Sequence, residues 1–158
     1  MDNLAIREDL VQLLNGHQAH IDFDAATNGL PVGLRGAKPH GLSHTPWQLA
    51  EHLRIAQRDI VDYCTNPAYV PLIWPEEYWP ASEAPPDDLA WDRCLKALRD
   101  DLQALKSLVT NPDVDLFARI AWGGDHTIFR ELLLVADHNS YHLGQFVIIR
   151  KLLDMGKG

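Results

Sequence analysis

The amino-acid sequence predicts an all-α protein, a four-helix bundle with long inter-helix connections. Three observations point to this class. Four segments repeat apolar residues at steps of three and four, no segment alternates like a half-buried strand, and Pro- and Gly-rich stretches separate the four.

The first helix is expected from about Leu4 to Ile21, with an inward stripe of Ile6, Leu10, Leu13, His17 and Ile21. The second opens at "HTPWQLAEHL", where Thr45 reads as N-cap and Pro46 as the first helical residue. "TNP" ends it at about Thr65. The third carries the cleanest stripe: Trp91, Leu95, Leu98, Leu102, Leu105 and Val109, with Asp87 and Asp88 favouring its N-terminus through the helix dipole. The fourth starts near Thr127, after the turn "WGGD", and runs to about Asp154. "YVPLIW" reads as a short extended piece. Connections of this length can cross a bundle end to end, so a strict up-down-up-down order is not required.

At 158 residues the chain fits a single domain, 1–158, with no internal repeat. Its 46% apolar and 23% charged residues are ordinary globular values. A net charge of −8 with scattered Lys and Arg argues against nucleic acid as a partner. The longest apolar runs, "LLLV" and "FVII", are far too short for a bilayer span, and "MDNLAIREDL" lacks a secretory pattern. Cys64 and Cys94, thirty positions apart, read as free thiols suited to a cytoplasmic location.

The chemistry concentrates in the fourth helix. Its heptad seam is Ile128, Glu131, Val135, His138, His142, Gln145, Ile149 and Leu152, apolar at the ends and polar in the middle. Two imidazoles at i,i+4 on one helix face project side by side and can share one metal ion. The spacing alone is weak evidence: His40 and His44 repeat it in "KPHGLSH", where a helix is improbable. A stable site needs a third ligand, and the residue pattern leaves His52 and His17 nearly level, with His20 and His126 read as surface or loop residues. In "HNSYH", Asn139 stands where the HExxH metalloprotease motif has its glutamate base. Ser140, two residues from either histidine, faces elsewhere on a helix, so it forms no dyad with them. Trp47, Trp74, Trp79 and Trp122 read mainly as packing residues, with one or two available to wall an apolar pocket.

"TPWQLAEHL" with His52, followed by "DHNSYHLGQ" with His138 and His142, resembles the DinB/YfiT-like family of metalloenzymes, unrelated to the DNA polymerase that shares the DinB name. The resemblance covers nearly the whole chain. It implies a bundle in which His52, His138 and His142 bind a divalent metal, zinc or nickel, and it favours His52 over His17. It further implies a small-molecule substrate and a low-molecular-weight thiol as partner, through relatives that are thiol-dependent S-transferases or isomerases. Homodimers are common among them.

Three neutral imidazoles leave a bound dication its full charge and at least one open position. The expected activity is therefore that of a metal-dependent thiol S-transferase or hydrolase, with the missing HExxH glutamate tilting the choice toward a thiol. Gln145 is a candidate to orient a ligand, Glu131 a distant candidate base, and Asp59 a surface or second-sphere residue. The competing expectation is a non-catalytic metal-binding or stress-related interaction bundle, which a fourth protein ligand closing the tetrahedron would favour.

Overall fold

A computed structural model describes residues 3–155. Four long helices carry the fold: α1 (Asn3–Asn15), α3 (Pro46–Thr65), α4 (Ala90–Thr110) and α5 (Ile128–Met155), with a short α2 (Phe23–Thr27) in the first connection. Single 3-10 turns at Val32–Leu34 and Glu76–Tyr78 interrupt the long loops. No strand occurs among the described residues; "YVPLIW" is irregular, and the β-geometry is limited to one bridge between Arg119 and Thr127.

α3 packs against α4 and α5, and α1 packs against the same two helices from the other side. The core runs as two apolar lobes. Leu53, Leu98 and Phe146 belong to one, and Leu10, Val61, Leu105 and Leu132 to the other. Early residues of α3 thus meet early residues of α4, and late residues meet late ones, so these helices are parallel. α1 and α5 run the opposite way. The parallel pair is possible because residues 66–89 are long enough to travel back along the bundle.

The start signal of α3 has its physical basis in place. Thr45 Oγ1 accepts from the Gln48 backbone N–H at 3.1 Å, and the Gln48 side chain returns the bond to Thr45 N at 3.1 Å. This reciprocal box, with Pro46 at the first helical position, satisfies donors that the helix cannot pair internally. The Thr45 hydroxyl donates in turn to Glu83 O (2.6 Å) and Trp47 Nε1 donates to Ser82 Oγ (3.2 Å), which holds the long loop over the start of α3. Gly36 lets that loop approach: a Cβ there would lie 2.5 Å from Ala84 Cβ. At the far end, the Arg7 guanidinium donates to Val109 O (2.5 Å), Asn111 O (3.0 Å) and Val114 O (2.5 Å), closing carbonyls left over where α4 stops.

The first helix is shorter than its apolar pattern predicts. Gly16 and His17 both adopt left-handed backbone, at φ 66° and 68°, which ends α1 at Asn15. Asp22 then caps α2 by accepting from Ala25 N at 2.7 Å. The predicted stripe fails with the helix. Leu10 and Leu14 are buried, whereas Ile6, Leu13 and Ile21 are exposed. His17 points to solvent beside Asp22 (3.2 Å) and is withdrawn as a ligand candidate. At the other end of the chain, Leu152 leaves the predicted α5 seam and is exposed. No helix of the described residues is long and apolar enough to cross a membrane.

Candidate metal centre

α3 and α5 are antiparallel neighbours, and where they face each other the core turns polar. α3 presents His52, 1% exposed, and α5 presents His138 and His142 one turn apart. His52 Nε2 lies 3.1 Å from His142 Nε2 and 3.1 Å from His138 Nε2. One ligand atom from each ring falls within 4.8 Å of the other two.

For His52 and His142 the outer nitrogen fixes what the inner one is, whereas His138 Nδ1 is buried without a partner. His52 Nδ1 is 2.7 Å from the Tyr78 carbonyl, which can only accept, so the proton is on Nδ1 and Nε2 carries a lone pair. His142 Nδ1 donates likewise to Gln145 Oε1 at 2.8 Å. Two lone pairs at 3.1 Å repel unless a proton or a cation lies between them. Protonation is disfavoured here: burial pushes the His52 pKa down to about 4, against the opposing Tyr78 bond, with nearby His142 and His44 adding to the fall. Burial, then His142 and His52, holds His138 at about 4 as well, and burial lowers His142 despite the Gln145 bond. Near neutral pH the cluster is thus three uncharged nitrogen donors, a set that suits a borderline divalent ion such as zinc or nickel.

No Asp, Glu, Cys or further His joins these three among the described residues, so no fourth residue of the usual zinc-ligand types closes a tetrahedron there. Cys64 and Cys94 are free and buried, and burial raises both thiols, Cys64 to about 12. Neither is a nucleophile at neutral pH.

An outer sphere holds the rings in place. Asp59 accepts from the Tyr78 hydroxyl (2.7 Å) and the Tyr69 hydroxyl (2.8 Å), anchoring the 3-10 turn whose carbonyl holds His52. Asp59 touches none of the three histidines and reaches His52 only through Tyr78. Trp79 stacks on His52 at 3.9 Å with the rings 1° from parallel, and His44 stacks on the other indole face at 4.1 Å. Tyr141 stands edge-on to His142 at 4.9 Å. Outer-sphere partners of metal-binding histidines typically contribute 10–100-fold to affinity. Tyr78→Phe, which cuts the Asp59 link but keeps the carbonyl, is expected to weaken zinc binding by about tenfold, read by competition against a chelating dye. Unchanged affinity would leave the Asp59–Tyr78 bond a purely local contact.

The remaining sequence candidates separate clearly. Gln145 reaches the site through His142. Glu131 is buried as the seam predicts, but it sits two turns away and is bound by Arg130 (2.7 Å) and His126 (3.2 Å). Asn139 lies on the next face of α5 and donates to Gln57 Oε1 at 2.8 Å. Gln57, 1% exposed, donates to Leu98 O at 2.7 Å, so one amide links α3, α4 and α5 beneath the histidines. Ser140 faces away from both metal-site histidines and meets His20 instead, at 3.1 Å. The Tyr78 carbonyl leaves no trace in sequence because any residue could supply it, whereas Trp79 was visible as an unplaced aromatic in a Pro-rich loop.

The fold and the site together define a helical bundle with a three-histidine centre held between antiparallel helices. The chain belongs to the DinB superfamily, whose family profile matches residues 15–146 and so includes all three histidines. No curated protein and no solved structure matches the chain significantly.

Proposed function

We propose that this chain is a divalent-metal-dependent enzyme that activates a low-molecular-weight thiol, in the manner of an S-transferase, for attack on a small electrophile. The observation that carries the reading is the donor set: three neutral imidazoles, two of them locked by Nδ1 bonds, with no fourth His, Cys, Asp or Glu beside them among the described residues. A zinc or nickel ion held by His52, His138 and His142 would supply Lewis acidity, lowering the pKa of a thiol or water that shares it.

The chain's own residues favour the thiol over water. Hydrolysis through water profits from a general base beside the centre, and among the described residues no carboxylate joins the cluster. The position that would carry such a base on α5 is Asn139, whose amide is committed to Gln57. A thiol needs only to lose its proton to become the nucleophile. Gln145 and the Tyr78 carbonyl keep the rings oriented while this happens. Trp79, His44 and Tyr141 form an aromatic border that can exclude water and seat an apolar electrophile.

Zinc- or nickel-loaded protein is expected to consume a model electrophile such as chlorodinitrobenzene in a thiol-dependent way, with product formation followed by absorbance across a panel of thiols. Loss of that activity in His142→Ala, with the fold intact by circular dichroism, is the supporting result. Activity independent of thiol, or undiminished in His142→Ala, would overturn the proposal.

A further inference from the structure

On the face of α5 opposite the histidines lies a cavity of about 370 Å³, inside the range of roughly 300–1,000 Å³ that small-molecule sites occupy. None of His52, His138, His142 or Trp79 lines it. We infer that this cavity is a second ligand site, which takes a small amphipathic carboxylate: an apolar body with one anionic end.

The lining assigns both ends. The floor is made by Leu14, Leu53, Leu98 and Leu143, each buried and drawn from four different helices. Gln57 also lines the cavity, but its amide is spent on Leu98 O and Asn139. Such a floor rewards apolar surface, although one lining polar atom, Asn139 Oδ1, is buried with no hydrogen-bond partner.

The mouth decides the charge. Asp22 is committed to capping α2 and to His17, and Asp24 is paired with Arg99 at 2.8 Å. Lys106 is the cation left over. Among the described residues its ammonium contacts the neutral Asn15 Oδ1 at 3.1 Å and no carboxylate. An ammonium beside an apolar cavity is the pairing that selects a carboxylate and rejects an amine of the same shape. The site is also separable from the metal centre, because α5 turns Asn139, Ser140 and Leu143 into the cavity and His138 and His142 away from it.

Calorimetric titration of metal-free full-length protein with octanoate, octanol and octylamine tests this. Octanoate is expected to bind, octanol more weakly, and octylamine least. Lys106→Gln is expected to lose about tenfold in octanoate affinity, as a charge-assisted hydrogen bond is worth, while Lys106→Arg retains it. Since a carboxylate can also ligate a metal, the same titration is run on His142→Ala, where octanoate binding should persist. Octylamine binding as well as octanoate, affinity unchanged in Lys106→Gln, or binding lost in His142→Ala would each overturn the second site. The last of these would leave the metal proposal standing.

Discussion

His52→Ala is expected to reduce bound zinc from about one ion per chain to a trace and to abolish the thermal stabilisation that zinc gives the wild type. At a free zinc concentration of about 100 Kd, binding to the native state alone is worth about 2.7 kcal/mol. For a chain of this length that corresponds to roughly 5–10 °C in midpoint. The alanine also removes a buried ring that packs on Trp79, so the absolute midpoint will fall for a second reason. The diagnostic quantity is therefore the difference between zinc-loaded and metal-free samples of the same variant. His142→Gln, close in size and polar, provides the check that packing loss is not responsible. A zinc-dependent shift that survived in both variants would sink the three-histidine centre.

Acid is expected to destabilise the metal-free protein within a defined window. A histidine whose folded pKa is depressed stays neutral in the native state while the unfolded chain takes up its proton. Between pH 6.5 and about 4 the unfolded state binds more protons, so stability falls as pH falls through this range. Above pH 6.5 the effect vanishes, and below about 4 the loss is complete. For His52 alone, held at about 4, the full loss is about 3 kcal/mol. His138, depressed likewise, adds a loss of the same sign, and because one imidazolium opposes formation of the next at 5.0 Å between ring centres, that repulsion deepens the combined loss. Urea unfolding of chelator-treated protein from pH 7.5 to 4.5, compared with His52→Leu, isolates this part of the slope. Equal slopes for wild type and variant would show that His52 titrates normally. Zinc should raise the wild-type curve near neutrality without changing its slope, because the folded histidines are already proton-free there. It should also extend the loss below about pH 4, where metal and protons compete for the same nitrogens.

Much of the fold was legible because its signals are local. The start of α3 depends on Thr45, Pro46 and Gln48, all within four residues, and the cap forms as those identities require. α4 follows its stripe from Trp91 to Val109 because an uninterrupted period of three and four leaves one face to bury. α1 was over-extended for an equally local reason. Its apolar period continues past Gly16, and the pattern does not reveal that two successive residues turn left-handed. That turn removed His17 from the competition, which residue pattern had left level with His52.

The site was legible in part. The pair His138 and His142 is fixed by helix geometry, as is the reach from His142 to Gln145 at i,i+3. Glu131 shows the limit of the same reasoning: periodicity assigned its face correctly, yet burial on the right face two turns away does not place a carboxylate beside a reacting atom.

Local residue patterns are enough for the helical class, the boundaries of the three later long helices, and two donors on one face of α5. These are properties of neighbours within about four residues, where backbone geometry permits few alternatives. Packing between distant segments decided which third histidine meets the pair, that no further His, Asp, Glu or Cys joins it among the described residues, and that Tyr78 holds His52 from the long loop while Asp59 of α3 anchors Tyr78. It also decided that a separate cavity opens on the opposite face of α5. Each of these depends on helices and a long crossover meeting across the core, and the register of that meeting is set by packing summed over the whole chain.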